Sequence, residues 1–245
     1  MKKISENNAK LGRKYVNILG INVISSSTSS VLAGVEEKIS SSIKFSILTP
    51  NPELILASTK NKELKDALNS ADFSIPDGVG LNYASKFLYG RSIHIIPGRI
   101  LFGKLIELAD KKGWRVFLLG GLNNEAALTA KILKANNPKL KIETSAESTV
   151  NINKFKPDLL FVAFGNPKQE IFTAKYLPKL NVGGMMAVGG AFRYIAGMSP
   201  LPPKWMEEFG LEWLWRLVTE PVRLARIWNA VVVFPWKVFI FKLSH

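Results

Sequence analysis

Cysteine is absent from this 245-residue chain, and histidine nearly so, with only His94 and His245. The first absence excludes thiol nucleophiles, disulfide staples and cysteine-ligated zinc, and is compatible with a reducing compartment. The second leaves no material for a Ser-His-Asp triad or a multi-histidine metal centre, so a general base here is expected to be a carboxylate. Acidic residues are scarce as well. Against 33 Lys+Arg stand 19 Asp+Glu, a formal charge of +14, which draws the protein to a polyanion: nucleic acid, an anionic membrane surface or a phosphorylated substrate. Long apolar runs are also missing. The longest, residues 227–241, is broken by Asn229, Pro235 and Lys237 and is shorter than the roughly 20 residues that span a bilayer, so no transmembrane helix is expected. No signal peptide is expected, because the basic residues 1–14 are not followed by an apolar core with a small-residue cleavage site.

What is present is an alternation. Short apolar, β-branched or aromatic runs at 15–24, 44–48, 114–119, 159–164 and 184–188 predict buried parallel strands. Between them lie helical patterns at 28–40, 52–60, 62–70, 79–89, 98–112, 123–136 and 167–176. Strand and helix in turn predict an α/β fold, with a mostly parallel sheet and helices on both faces, Rossmann-like. Past Gly197 the texture changes to a proline-rich junction, M-S-P-L-P-P-K-W, and then to aromatics and arginines; five of the six tryptophans, Trp205, Trp213, Trp215, Trp228 and Trp236, lie there. The expected division is a basic extension over 1–14, an α/β domain over 15–197 and a helical, membrane-associating appendage over 198–245.

Ligands of open α/β sheets bind at the carboxyl ends of the strands, so polar residues just past each apolar run are the candidates. T-P-N-P-E follows Leu48, and its Thr49 and Asn51 suit hydrogen bonds to a sugar or phosphate, although Asn51 before Pro52 equally fits a plain helix cap. In S-I-P-D-G-V-G, Asp77 offers a carboxylate base, or a simple Asp-Gly turn. Gly120 and Gly121, and Gly165 and Asn166, each precede a helical pattern, where free N–H groups suit a diphosphate, and Gly190 in G-G-A-F, just past the last apolar run, is a further candidate or a plain tight turn. None of these is a G-x-G-x-x-G or a GxxxxGK[ST] motif, which disfavours a dinucleotide oxidoreductase and a P-loop NTPase. Arg216, Arg223 and Arg226 are spaced to fall along one side of a helix, beside tryptophans and long aliphatics, a texture that fits a membrane interface. A basic nucleic-acid-binding module is the alternative, but the lysines are scattered and no nucleic-acid motif appears.

Taken in order, T-P-N-P-E, I-P-D-G-V-G, R-V-F-L-L-G-G, P-D-L-L-F-V-A-F-G-N-P-K-Q-E, V-G-G-A-F and G-L-E-W-L-W-R-L-V-T-E-P-V-R-L resemble the WecG/TagA/CpsF glycosyltransferases, from about Val16 to Trp228. The resemblance implies that the α/β domain is catalytic. It implies an inverting, metal-independent enzyme without a cofactor, which moves N-acetylmannosamine or its uronic acid from a UDP-sugar to polyprenyl-diphosphate-linked N-acetylglucosamine in cell-envelope polysaccharide or teichoic acid synthesis. By motif position Asp77 is the base, with Thr49 and Asn51 beside it and Gln169 a substrate-binding residue, while Arg216, Arg223 and Arg226 reach the acceptor diphosphate. The implied partners are the donor, the lipid-linked acceptor and an anionic membrane surface at the cytoplasmic face, with no nucleic acid; a homo-oligomer stays open. The chain departs from the usual E-R-V-x-G-x-D-L at residues 94–101, where Ile95 and Ile100 take the arginine and aspartate positions and Arg99 lies nearby, and it has Arg193 where an aspartate is frequent.

Overall fold

The computed structural model describes residues 14–146, 149–208, 211–220 and 224–244. Six strands form one parallel sheet, in the order β4(Phe73–Ser74), β3(Phe45–Leu48), β8(Gly184–Ala187), β7(Leu159–Ala163), β5(Arg115–Gly120), β6(Lys141–Ser145). Its central strands are buried on both sides, which is why they read as continuous apolar runs instead of alternating ones. Ile47, Phe102, Phe161 and Phe192 pack on one face of the sheet, and Phe117, Leu160, Val162 and Met185 meet Phe172 and Tyr176 on the other. This is the α/β architecture expected, with helices on both faces.

Two strand expectations change. The run at 15–24 is not one parallel strand but an antiparallel hairpin, β1(Lys14–Ile18) and β2(Ile21–Ser25), with Ile18 opposite Ile21. Leu19 and Gly20 both take positive φ, 50° and 84°, and close a two-residue turn hidden inside an apolar stretch. The strand β6 was not foreseen, because it is the half-exposed edge of the sheet and its sequence, K-I-E-T-S, is mostly polar.

Helices form where their caps say. Asn51 and Asn61 accept hydrogen bonds from Leu54 N at 2.8 Å and Leu64 N at 3.0 Å, starting the helices Pro52–Ser58 and Lys62–Ser70. The C-terminal segment overturns the length on which the transmembrane expectation rested. Leu224–Leu243 is one helical run of 20 residues, long and apolar enough to cross a membrane by length and composition. Pro235 does not break it, because a π turn over Asn229–Val233 precedes the proline, with Phe234 N–H bonded to Asn229 O. The widened turn absorbs the missing donor and the ring bulk that stop an ordinary α-helix. Phe234 and Val238 on this helix are buried in a cluster with Leu54, Leu81 and Ala84, so it lies along the α/β body.

Candidate functional site

The carboxyl ends of β3, β4, β5, β7 and β8 open into one cleft of about 780 Å³. The strand order places β3 and β4 on one side and β7, β5 and β6 on the other of β8, so the loops leaving the strands diverge and leave a crevice between them.

At the β3/β4 end the cleft is built by side chains on tightly tied loops. Ile75 N donates to Leu48 O at 2.8 Å, Asp77 N to Pro50 O at 2.9 Å and Ile96 N to Pro76 O at 3.1 Å, which pins the Asp77 loop between its neighbours. Asp77 Oδ2 then accepts from Gly98 N at 3.1 Å. Gly98 is the first residue of the 15-residue helix Gly98–Lys112, whose Pro97 cap supplies no side-chain hydrogen bond, so Asp77 satisfies an otherwise orphaned donor and sits at the positive end of the helix dipole. A methyl group at Gly98 would sit 3.0 Å from Thr49 Oγ1 and 3.4 Å from Asp77 Oδ2, so glycine lets these two side chains approach the helix start closely. Thr49, Asp77 and the Gly98 amide therefore converge on one spot. Asn51 lines the same wall, but its Oδ1 is the helix cap already described, the plain alternative for this residue.

At the β5/β7/β8 end glycine turns bring the backbone into the wall. Gly120 and Gly121 have φ of 91° and 83°, and Gly121 N donates to Ala163 O at 2.9 Å. A side chain at Gly120 would meet the Phe164 ring at 2.7 Å and Ala163 O at 2.9 Å, so the turn closes only around glycine. Gly165 and Asn166 follow β7, and Gly190 follows β8. Gln169, 3% exposed, staples these loops: its Oε1 accepts from Gly189 N at 3.1 Å, and its Nε2 donates to Asn166 Oδ1 and Glu170 Oε1, each at 2.8 Å.

Charge in the cleft is mixed. Arg99, Lys168, Arg193 and Arg226 line it, and so do Glu53, Glu125 and Glu170. Arg226 Nε donates to Glu53 Oε1 at 2.7 Å, bringing the first turn of the C-terminal helix to the β3 end. Arg193 Nε pairs with Glu125 Oε1 at 3.2 Å, while Glu125 Oε2 accepts from Leu122 N at 3.1 Å. Glu170 is buried, and its carboxyl is pushed up to about 7: burial raises it, hydrogen bonds from Gln169 and the backbone partly offset this, and the Glu53 charge adds to the rise.

The cleft thus gathers Asp77, Thr49, Asn51, Gln169, Arg226, Gly120, Gly121, Gly165, Asn166 and Gly190. Arg223 lies outside the described residues, and of Arg216 only the backbone, within the helix Glu212–Thr219, is described. Sequence reasoning missed Glu53, Gly98, Glu125 and Glu170. Glu53 and Glu170 are nevertheless the last letters of two motifs singled out, T-P-N-P-E and G-N-P-K-Q-E, and each stands in the first turn of a helix.

The model of the family described as "Glycosyl transferase WecG/TagA/CpsF family" matches residues 16–245. The chain is 34% identical over 190 residues to the N-acetylglucosaminyldiphosphoundecaprenol N-acetyl-beta-D-mannosaminyltransferase of Bacillus spizizenii, covering 74% of each chain. It is 31% identical over 189 residues, again 74% of each, to the protein of the same name from Bacillus subtilis. With that of Staphylococcus aureus it shares 29% identity over 200 residues, 78% of each.

Proposed function

Because the chain belongs to the WecG/TagA/CpsF family of glycosyl transferases, we propose that it moves N-acetylmannosamine, or its uronic acid, from a UDP-sugar to N-acetylglucosamine on a polyprenyl diphosphate. Asp77 is the base in this reading, and the observation that carries it is the hydrogen bond from the Gly98 amide to Asp77 Oδ2 beside Thr49 Oγ1. That bond fixes the carboxylate in the cleft, where a carboxylate oxygen can accept a proton. Asp77 takes the proton of the acceptor hydroxyl, the freed oxygen attacks the anomeric carbon from the face opposite UDP, and the bond from that carbon to the diphosphate breaks, inverting the centre. The departing charge falls beside the glycine loops and the cations Lys168 and Arg193, which supports leaving-group stabilisation without a metal ion. Arg226, with Arg216 and Arg223, takes the acceptor diphosphate.

The acceptor is a lipid, so the enzyme works as a peripheral protein at the cytoplasmic face of the membrane. Burial of Phe234 and Val238 against the α/β body supports a C-terminal helix that lies along the surface instead of crossing it. The test is release of UDP from several UDP-sugars in the presence of a short-chain polyprenyl-diphosphate-GlcNAc. Turnover of a UDP-N-acetylmannosamine donor that disappears in Asp77→Asn is expected. Near-normal turnover by that variant sinks the base assignment, and no release from any UDP-sugar sinks the reaction.

A further inference from the structure

Helices of soluble proteins turn polar residues outward, and two helices of this protein turn apolar stripes outward as well as inward. Along Val79–Tyr89, Val79, Tyr83 and Phe87 recur every four residues and are 37%, 64% and 43% exposed. Along Leu224–Leu243, Trp228, Val232, Trp236 and Ile240 repeat the same spacing on the exposed side. The two stripes meet. The ring centroids of Phe87 and Phe239 are 6.2 Å apart, Trp236 stacks on Phe239, and Lys242 Nζ donates to Phe87 O at 2.6 Å while lying 4.3 Å from the Phe87 ring centre.

Both helices also start at the cleft. Asp77 lies two residues before Val79, and Arg226 is in the first turn of the other helix; both residues line the cleft. Contacts late in each helix, Phe87 with Phe239 and Lys242, hold the far ends together, so the pair runs in the same sense away from the opening. Neither helix contains an acid, whereas Lys86, Arg226, Lys237 and Lys242 are distributed along them.

We propose that the helix Val79–Tyr89 is a second membrane-binding element, and that its Val79, Tyr83 and Phe87 stripe rests with the outward face of Leu224–Leu243 in the headgroup region of an anionic bilayer. The inference rests on the proposed lipid-linked acceptor and goes beyond it by assigning a surface on the α/β body. Exposed aromatics flanked by cations match that layer, where rings sit at headgroup depth and lysines meet anionic lipid. A second copy of the chain fits the surface less well, since it would bring one acid-free cationic face against another. Seated this way, the cleft mouth lies at the lipid surface, where an acceptor diphosphate emerges.

The absence of cysteine makes the test direct: Tyr83→Cys in the full chain accepts a single environment-sensitive fluorophore. A blue shift is expected with vesicles of phosphatidylcholine and phosphatidylglycerol in equal parts, and little change with phosphatidylcholine alone. In flotation assays on the mixed vesicles the double variant Tyr83→Glu/Phe87→Glu should bind at least about tenfold more weakly than the unaltered chain, with an unchanged circular dichroism spectrum. Should that variant not fold, Tyr83→Ser, at the most exposed of the three positions, is expected to weaken flotation severalfold. Flotation equal to the unaltered chain, or a label that stays in water, overturns the proposal. So does concentration-dependent self-association that the double variant abolishes without a change in flotation. UDP release on a short-chain, water-soluble acceptor is measured in parallel: its absence in the unaltered chain counts against the transferase reading and leaves the vesicle result standing.

Discussion

The two ends of the cleft are made differently. At the β3/β4 end, side chains are presented: Thr49 and Asp77 sit on loops tied to their neighbours, and a helix N-terminus is aimed at the carboxylate. At the β5/β7/β8 end, glycines bring the backbone close to the cleft without side-chain bulk, and Gln169 locks those loops from within. A proton-transfer group has to be a side chain of suitable pKa, whereas a diphosphate is bound well by amides that present no bulk. In the proposed reaction the acceptor hydroxyl therefore belongs at the first end and the nucleotide diphosphate at the second.

The largest expected effect separates the two ends outright. Asp77→Asn keeps the shape of the β3/β4 end and loses the proposed base, so transfer should fall by about 10² to 10⁴ while UDP binding, measured by calorimetry, stays near normal. Loss of both together would erase the division of labour. Glu170 tests the polar interior joining the ends. Its carboxyl is raised from 4.5 to about 7 in the folded protein, so the folded state favours the proton and stability declines as pH rises from about 4.5 to about 7. Glu170→Gln removes that penalty: denaturant unfolding should show the variant more stable by up to about 3 kcal/mol at pH 8 and nearly equal at pH 4. An advantage that is the same at both pH values would deny the buried charge. Gly120→Ala probes the backbone end. Its positive φ and the Phe164 ring 2.7 Å from the new methyl should together cost about 2 kcal/mol and weaken UDP binding more than acceptor binding, read as a lower midpoint and a raised donor KM. The smallest effect on stability is expected from Glu53→Gln. The Arg226 pair it breaks is partly exposed, worth less than about 1 kcal/mol, yet the acceptor KM should rise with the donor KM unchanged if the pair orients Arg226.

Much of this was legible in the sequence, for local reasons. The helices at 28–40, 62–70, 79–89 and 98–112 announce themselves through periodicity and through signals such as Asn61 at a start and Gly90 and Gly113 at ends, where the left-handed conformation stops the helix. Asp77 and the glycine turns were visible because strand ends carry ligands in this architecture. What escaped was set by contacts distant in sequence. The raised carboxyl of Glu170 follows from its burial between elements that meet only in the fold, and its own neighbourhood in G-N-P-K-Q-E looks like an ordinary helix start. Gly98 matters because Thr49, some fifty positions earlier, crosses in front of it. The hairpin at 15–24 hid its turn inside an apolar run, and the C-terminal helix hid its continuity behind Pro235, since nothing local marks the π turn that accommodates the ring.

The parallel pair of helices leaving the cleft has a kinetic consequence. An enzyme moored along both of them meets its acceptor by lateral diffusion in two dimensions, so the concentration that governs its rate is the mole fraction of acceptor in the bilayer, not the amount per volume of solution. Adding empty anionic vesicles that exchange with the enzyme then slows turnover by surface dilution, while adding acceptor at constant lipid area speeds it. If the proposed nucleotide donor is soluble, ordinary bulk saturation applies to it, and the two proposed substrates would obey different laws of mass action within one site.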